Sequence, residues 1–398
     1  MWLLLMACGA RDPDIVMVVV DTLRADYLGT YGYARHETSP AMDRFANEAR
    51  VFERAYAPAP WTLPSTATLL TGLSPRKHGA RTPRTDLAPE IETLAEQFHA
   101  EGWNTCLVYA NPLMDTATGL HQGFEHVDGS PAMGGWTPTA TEVTEAALDC
   151  LDERGSTFAV IQYFDPHDPY LDHEDIDFAG PGELLESRRY KMTELREMQD
   201  ELGEVDVARL RDLYAEEVRY TDDRIAPLLD TIREQDTFIL TSDHGEDILD
   251  HGHIGHLTHL HEELVRVPLI VQMPGLEPGR DRSVTPLERL GPALRGAPQV
   301  LLQSDEALFE VERMREGIGK IDLSGVVLGT DKQVHDCLAE TRVRYDLASD
   351  PLERAPLEAQ EPLGASIEAY RAIEPIAVLD LAAEAKREAQ LKALGYLD

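Results

Sequence analysis

Cysteine is scarce in this chain, which has four among 398 residues: Cys8, Cys106, Cys150 and Cys337. They are widely separated, and no two of them form a C-x-x-C pair. Closely spaced pairs are typical of thiolate metal sites and of small disulfide frameworks, so the sequence indicates neither. We expect Cys106, Cys150 and Cys337 to be isolated structural thiols.

Basic residues are also few, with 36 Lys and Arg against 72 Asp and Glu, which gives a formal net charge of −36. This charge repels the phosphate backbone of nucleic acids and anionic membrane surfaces, so no nucleic acid is expected as a partner. No stretch approaches the ~20 apolar residues of a membrane-spanning helix. Hydrophobic residues still make up 43% of the chain, which favours a sizeable globular core over a disordered acidic chain.

The apolar run at residues 1–8 is too short to cross a membrane, but it ends in the letters LMAC. This ending resembles the lipobox of bacterial lipoproteins, in which a small residue precedes the cysteine that is lipidated. The run lacks the basic residues that begin a complete signal peptide, so a chance match is the alternative. The resemblance predicts an exported bacterial protein, periplasmic or attached to the membrane only through a lipidated Cys8.

Four apolar runs typical of buried strands each lead directly into a polar residue. The runs are residues 15–20, 105–110, 158–164 and 237–242, and the polar residues that follow are Asp21, Asn111, Asp165 and Asp243. Amphipathic stretches with helical spacing, such as residues 92–98 and 208–214, separate the runs. Strands that alternate with helices predict an α/β fold with a doubly wound, mostly parallel sheet. We expect the four polar strand ends to meet at one edge of this sheet.

The same patterns divide the chain into regions. Residues 14–275 are predicted to form the catalytic domain, within which the acidic segment 171–206 is an insertion or lid that carries helical pieces. A solvated surface excursion is the more ordinary interpretation of that segment. Pro and Gly become frequent near residue 275, so residues 276–398 are predicted to form a small C-terminal α+β subdomain that ends in a helical tail over residues 381–394.

Two of the strand ends have the chemistry of a metal site. Asp243 and His244 are adjacent, and Asp21 adds a second carboxylate; divalent metals bind this mixture of oxygen and nitrogen ligands. Helix capping is the alternative role for Asp21. Residues 62–72, TLPSTATLLTG, predict a helix that starts near Pro64. Thr62 lies at its positive end, where a hydroxyl is either a cap or, beside a metal, a nucleophile.

These segments together resemble the sulfatase family of the alkaline phosphatase superfamily. Residues 62–72 align without gaps to the family signature C/S-x-P-S-R-x-x-L-L-T-G. Other family-like segments are residues 20–26 (VDTLRAD), 165–170 (DPHDPY), 241–246 (TSDHGE) and 262–269 (EELVRVPL). The resemblance implies the alkaline-phosphatase-like fold, with three αβα layers around the doubly wound sheet.

The departures from the signature matter for chemistry. Sulfatases convert a Cys or Ser at the first signature position to formylglycine, but this chain has Thr62, whose β-carbon bears a methyl group and cannot become that aldehyde. Thr66 replaces the Arg that supports the formylglycine, and Thr22 replaces a frequent second Asp. Relatives with a metal-bound Thr nucleophile, such as nucleotide phosphodiesterases, lipoteichoic acid synthases and phosphoethanolamine transferases, act on phosphoesters. The resemblance therefore implies phosphoester chemistry for Thr62.

Roles carried over position by position give a predicted site. The implied ligands of one divalent metal ion are Asp21, Asp243, His244 and Thr62. The implied catalytic residues are Thr62, His167 and His256, and the implied substrate-binding residues are Asn111 and His259. The imidazole ligand favours Zn or Mn, with Ca as the alternative. If a second metal is bound, Asp165 with His167 is the place considered for it. The other histidines of the dense segment 251–261 are expected to form an ordinary pH-sensitive loop.

The sequence thus predicts a metal-dependent ester hydrolase or transferase that acts through Thr62, with phosphate or phosphonate esters favoured over sulfate esters. One alternative is a sulfatase proper. The other is an inactive sulfatase-like protein that binds an anionic ester. The expected partner is a small-molecule, glycan or lipid ester with negative charge.

Overall fold

The structure, a computed structural model, describes residues 12–115, 118–134, 139–151, 155–171, 173, 175–185, 190, 192–315, 319–359 and 361–375. The strands are β1 (Ile15–Val20), β2 (Arg50–Tyr56), β3 (Asn104–Tyr109), β4 (His126–Asp128), β5 (Thr157–Tyr163), β6 (Thr237–Thr241), β7 (Asp247–Ile248), β8 (Ile254–Gly255), β9 (Arg266–Val267), β10 (Leu269–Gln272), β11 (Gly279–Pro286), β12 (Glu306–Arg315), β13 (Gly319–Leu328), β14 (Asp331–Asp336), β15 (Thr341–Asp346) and β16 (Leu357–Glu358). The α-helices are α1 (Pro40–Ala46), α2 (Thr62–Thr71), α3 (Pro75–His78), α4 (Leu94–Ala100), α5 (Ala140–Leu151), α6 (Met192–Met198), α7 (Glu204–Leu229), α8 (Glu262–Val265), α9 (Leu290–Leu294) and α10 (Ser366–Arg371). Short 3₁₀ turns lie at Ala25–Tyr27, Gly29–Tyr31, Pro112–Met114, Pro131–Gly134, Gln199–Glu201, Leu287–Arg289 and Pro298–Leu302.

The main sheet is mixed but mostly parallel. Its strand order is β11-β2-β10-β6-β1-β5-β3-β4, and β9 pairs with β2. Five adjacent strands, β6, β1, β5, β3 and β4, run parallel to one another. Strand β10 runs antiparallel to both β6 and β2. The four predicted strands are β1, β3, β5 and β6, and they lie side by side. The prediction of a doubly wound α/β sheet is therefore confirmed.

Each face of the sheet buries its own hydrophobic core, because alternate residues of a strand point to opposite sides. Val16 and Val18 of β1 pack in one core with α1, α5 and α7, whereas Ile15 and Met17 pack in the other with α2, α4 and α9. Helices therefore cover both faces of β1, which gives the three αβα layers that the resemblance implies.

A second, antiparallel sheet of order β12-β13-β14-β15-β16 forms the small C-terminal subdomain, together with α10. The predicted start of this subdomain at residue 276 is wrong, because β11 pairs in parallel with β2 of the main sheet. The Pro and Gly residues near position 275 form a tight turn between two strands of one sheet, closed by a bridge between Met273 and Leu276. The predicted helical tail over residues 381–394 and the segment 1–8 lie outside the described residues.

The described part of the acidic segment 171–206 combines exposed residues with buried anchors. Leu185, Met192 and Leu195 are buried in the core that contains α7. The carboxylates of Asp206 and Glu216 on α7 accept backbone N–H groups of the segment, at residues 183–185 and 178–179. The segment is therefore exposed at residues such as Leu184 and Val205 but anchored to α7 by buried acceptors.

The prediction of isolated thiols is wrong for two of the cysteines. Cys106 on β3 and Cys150 on α5 form a disulfide with a Cα–Cα distance of 6.4 Å, whereas Cys337 is a free thiol. The two residues are 44 positions apart and meet only because α5 packs on the sheet. None of the helices found in the described ranges has the length and apolar character that crossing a bilayer requires.

Candidate metal and catalytic site

Three of the four predicted polar strand ends, Asp21, Asn111 and Asp243, meet at one site. Asp21 follows β1 and Asp243 and His244 follow β6, and their ligand atoms all lie within 4.8 Å of one another. Thr62, the first residue of α2, places its hydroxyl 3.4 Å from Nε2 of His244. These four side chains are completely buried.

The hydrogen bonds of His244 define which ring nitrogen faces the site. Its Nδ1 lies 2.9 Å from the carbonyl oxygen of Gly245, so we assign the ring hydrogen to Nδ1. The Nε2 lone pair then faces Asp21 Oδ1 at 3.6 Å and Asp243 Oδ2 at 3.5 Å. Burial lowers the pKa of His244, which keeps the ring neutral. An imidazole oriented by a carbonyl through its other nitrogen is the usual form of a metal-ligating histidine.

Two carboxylate oxygens at the site are buried without a hydrogen-bond partner, namely Asp21 Oδ1 and Asp243 Oδ2. Burial raises the pKa of Asp21 well above its usual range, and the nearby carboxylate of Asp243 raises it further. Unpaired buried carboxylates are costly unless a cation compensates them. The donor set of Asp21, Asp243, His244 and Thr62 therefore fits a divalent cation.

Asn111 and Gln162 hold the other oxygen of Asp21. Asn111 Nδ2 donates to Asp21 Oδ2 at 2.6 Å and lies 3.3 Å from the Thr62 hydroxyl, and Gln162 Nε2 donates to the same oxygen at 3.1 Å. Asn111, predicted to contact substrate, thus contacts the candidate ligand Asp21 and the Thr62 hydroxyl. Gln162 was not among the predicted site residues, although it is a single amide side chain within the apolar run of β5.

The backbone around the site is also specialised. Helix α2 begins at Thr62, so this residue lies in the first turn, where the helix dipole favours negative charge. Thr22, next to Asp21, has a φ of 54°, which is strained for a β-branched residue and is typical of functional sites. The carbonyl of Thr22 accepts a hydrogen bond of 2.7 Å from the Tyr214 hydroxyl, which helps to hold this conformation.

The two predicted catalytic histidines lie beside the metal-site histidine. The ring of His256 is 4.5 Å from that of His244 and 5.2 Å from that of His167. Burial lowers the pKa of His256 well below its usual value, and His244 lowers it further. His167 Nδ1 lies 2.9 Å from the carbonyl of Asp168. The structure thus brings both predicted catalytic histidines close to His244.

Arg196 of α6 is a site residue that the sequence did not indicate. Its Nε donates to the carbonyl of Ile254 at 2.9 Å. Its charge adds to the burial that lowers the pKa of His256, and it opposes the burial that raises the pKa of Glu246 well above its usual value. Gly255 allows this approach, because a Cβ at this position would lie 2.3 Å from the guanidinium. The segment 171–206 therefore contributes positive charge to the site, and no local motif predicts this contact.

Two other predicted site residues have different surroundings. His259 Nε2 lies 3.0 Å from Asp247 Oδ2 and its Nδ1 lies 3.1 Å from His261 Nδ1, so both nitrogens face a second group of side chains. Asp165 Oδ2 accepts hydrogen bonds from the backbone and hydroxyl of Thr139. These contacts do not support a substrate role for His259 or a second metal at Asp165.

Comparison with known proteins extends over most of the chain. A family model described as Sulfatase matches residues 13–296. A choline-sulfatase of Rhizobium meliloti (strain 1021) is 23% identical over 448 residues, which cover 90% of this chain and 85% of that protein. An arylsulfatase of Clostridium perfringens is 37% identical, but only over 23% of this chain and 19% of its own length.

Solved structures show the same fold. A phosphonate monoester hydrolase of Agrobacterium radiobacter superposes with a TM-score of 0.70 at 18% identity, covering 96% of both chains. A structure described as a 2-O GAG sulfatase superposes with a TM-score of 0.69 at 18% identity and covers 90% of both. Sulfatases generally bind a divalent metal, in agreement with the donor set found here, and the hydrolase relatives support a hydrolase. From the match over residues 13–296, the chain belongs to the sulfatase family.

Proposed function

We propose that this protein is a metal-dependent hydrolase of anionic esters in which the Thr62 hydroxyl is the nucleophile and a phosphate or phosphonate ester is the substrate. The position of Thr62 carries the proposal. Its hydroxyl is buried beside Asn111 and the ligand His244, at the place where sulfatases need a Cys or Ser for formylglycine. A hydroxyl that cannot be oxidised to the aldehyde still serves as a nucleophile toward phosphorus.

The ligands proposed for the cation are Asp21, Asp243, His244 and Thr62. Two carboxylates and one imidazole form a mixed oxygen and nitrogen set that suits Zn or Mn, with Ca as the alternative. When bound, a divalent ion supplies positive charge that lowers the pKa of a hydroxyl and stabilises a phosphoryl group. Asn111 holds both Asp21 and the hydroxyl of Thr62 in place.

The proposed reaction proceeds in two displacements. The Thr62 hydroxyl gives its proton to one of the two histidines, His167 or His256, as its oxygen forms a bond to phosphorus. The bond from phosphorus to the alcohol oxygen breaks, and the protonated histidine passes the proton to that oxygen. Water then attacks the phosphorus of the Thr62 ester, which releases the acid product and restores the hydroxyl. An acceptor alcohol in place of water would give group transfer.

Hydrolysis of a sulfate ester is the second candidate, because the relatives described above include a choline-sulfatase and an arylsulfatase. The same attack by Thr62 would then occur at sulfur. The presence of Thr62 at the position where sulfatases carry formylglycine disfavours this candidate. In either case the substrate is an anionic ester of a small molecule, a glycan or a lipid.

A substrate panel with two Thr62 variants tests the proposal. We expect the protein, assayed with Mn²⁺ or Zn²⁺, to cleave aryl phosphate or phosphonate esters faster than aryl sulfates. Thr62→Ala removes the nucleophile, so kcat should fall by at least ~10³-fold, while Thr62→Ser keeps a hydroxyl and retains turnover. Circular dichroism checks that both variants fold. Undiminished turnover by Thr62→Ala would contradict the proposal. Faster cleavage of aryl sulfates than of phosphate or phosphonate esters would favour the second candidate. Bound metal with no turnover of any ester would indicate an inactive binding protein.

We also propose that the protein is exported. The disulfide between Cys106 and Cys150 supports this, because disulfides persist mainly in oxidising compartments outside the cytosol.

A further inference from the structure

A second group of metal-ligating side chains lies outside the site described above. We name it the histidine cluster, and its members are His251, His259, His261 and Glu263. His251 Nδ1 lies 2.7 Å from Glu263 Oε1, and His261 Nδ1 lies 3.1 Å from His259 Nδ1. Ligand atoms of His251, His261 and Glu263 all fall within 4.8 Å of one another. Neighbouring ligand atoms of a tetrahedral ion with bonds of ~2.0 Å are roughly 3.3 Å apart, so the spacing is compatible with one ion.

In each imidazole of the histidine cluster, Nε2 contacts an oxygen atom outside the centre of the cluster, so Nδ1 is the nitrogen on the inner side. The outer contacts join Nε2 of His259 to Asp247 Oδ2 at 3.0 Å, Nε2 of His251 to the carbonyl of Glu353 at 3.3 Å, and Nε2 of His261 to the hydroxyl of Tyr345 at 3.3 Å. The Nδ1 atoms of His251 and His261 therefore face inward. Nδ1 of His259 lies 3.1 Å from Nδ1 of His261 and also accepts the backbone N–H of His261 at 3.4 Å. An outer oxygen that fixes the ring of each ligand is the common second shell of protein metal sites.

The charges of the cluster also suit a divalent ion. Glu263 and Asp247 bring two carboxylates, and the side chains of His251, His259 and Glu263 are 12%, 10% and 6% exposed. The ammonium of Lys332 lies nearby, but it contacts the carboxylates of Glu262 and Glu353 at 3.0 Å each. Its charge is therefore largely compensated and opposes a cation only weakly.

We propose that the histidine cluster binds a second metal ion, Zn²⁺, through Nδ1 of His251, His259 and His261 and the carboxylate of Glu263. Three imidazoles and one carboxylate favour Zn²⁺ over the harder ions Ca²⁺, Mg²⁺ and Mn²⁺. Ligand atoms of His251, His261 and Glu263 already lie within 4.8 Å of one another, and His259 completes the tetrahedron when its Nδ1 turns from the backbone N–H of His261. The chain then supplies all four positions, so this ion is structural rather than catalytic. It joins the residues after β7 to α8 and, through Tyr345 and Glu353, to the C-terminal subdomain. The loop that it closes carries His256.

Zinc stoichiometry tests the proposal without reference to turnover. Chelator-stripped protein is dialysed against Zn²⁺ alone, and bound zinc is measured by elemental mass spectrometry for the wild type, His261→Gln and His99→Gln. His99 is half-exposed on α4 and serves as the matched control. We expect His261→Gln to bind about one equivalent less than both the wild type and the control. Equal stoichiometry in His261→Gln and the wild type would overturn the proposal.

A second measurement on the wild type covers the case in which His261→Gln does not fold. Diethyl pyrocarbonate labels accessible histidines, and peptide mass spectrometry locates the label. Zn²⁺ should lower the labelling of His251, His259 and His261 several-fold while leaving His99 unchanged. Labelling of these three histidines that is the same with and without Zn²⁺ would contradict the proposed site.

Discussion

At the scale of single residues, Asp21 has two oxygen atoms with different tasks. Oδ2 accepts hydrogen bonds from Asn111 and Gln162, whereas Oδ1 is buried without a hydrogen-bond partner and faces His244. The amides therefore fix the carboxylate while one oxygen stays available to a cation. Gln162 also accepts the backbone N–H of Asn111 through Oε1 at 2.8 Å, so one side chain aligns the ends of β1 and β3.

Replacement of Gln162 tests this positioning role. Gln162→Leu removes a donor to Asp21 and leaves the N–H of Asn111 without that acceptor, so Mn²⁺ affinity should fall ~10–100-fold and the free energy of unfolding should fall by ~1–3 kcal/mol. Titration calorimetry and urea unfolding measure the two effects. Gln272→Leu on β10 is the control, since this amide bonds to the carbonyls of Arg233 and Asp236. Unchanged Mn²⁺ affinity in Gln162→Leu would refute the role.

At the scale of elements, α2 is braced by α3. His78, the last residue of α3, places Nε2 3.1 Å from the Thr68 hydroxyl of α2, and its Nδ1 accepts the backbone N–H of Ala80 at 3.2 Å. Burial lowers the pKa of His78 to about 3. The neutral ring thus holds the helix that begins with Thr62, and protonation would break this arrangement.

The low pKa of buried His78 predicts that the free energy of unfolding decreases in acid. The unfolded chain binds a proton at His78 near pH 6.5 and the folded chain only near pH 3, so stability from this group is complete above pH 6.5 and declines as the pH falls toward 3. The loss approaches ~1.4 kcal/mol per pH unit for one proton. His78→Gln should flatten this slope in urea unfolding between pH 4 and 7, and His99→Gln should not. An identical slope in His78→Gln and the wild type would show that His78 is not responsible.

At the scale of the whole molecule, ion pairs join the catalytic domain to the C-terminal subdomain. Arg76 and Arg81, which follow α2, both bond to the carboxylate of Glu310 on β12. Lys332 of β14 is completely buried between Glu262 of α8 and Glu353. Both contacts use buried or nearly buried carboxylates, so the acidic excess of the chain is not only a solvated surface.

The net charge of −36 predicts an unusual salt dependence. The overall field opposes an anionic ester, whereas Arg196 and the proposed cation attract it only at short range. Added salt screens the long-range repulsion first, with a Debye length of ~8 Å at 0.15 M. The Michaelis constant should therefore decrease as NaCl rises toward ~0.15 M, and more for a doubly charged monoester than for a singly charged diester. A Michaelis constant that rises steadily with salt for both esters would contradict this.

Local sequence was sufficient for the fold class and for the ligands at the strand ends. The apolar runs of β1, β3, β5 and β6 are readable because buried parallel strands need continuous β-branched and apolar residues. Asp21, Asp243 and His244 directly follow such runs, and parallel strands bring their ends to one edge. The prediction of a common site thus needed only the strands and their direction.

The sequence by itself predicted the mostly parallel sheet and the candidate ligands Asp21, Asp243 and His244, because these follow from periodicity and from residues adjacent to strand ends. The αβα layers and the role of Thr62 were implied by the family resemblance. Only the tertiary structure decided the partners of Gln162 and Arg196, the disulfide, and the membership of β11 and α9 in the main-sheet domain. Arg196 and Ile254, for example, are 58 positions apart, and Cys106 and Cys150 are 44 apart. Such contacts arise when elements pack together, and no local pattern encodes which distant residue a side chain will meet.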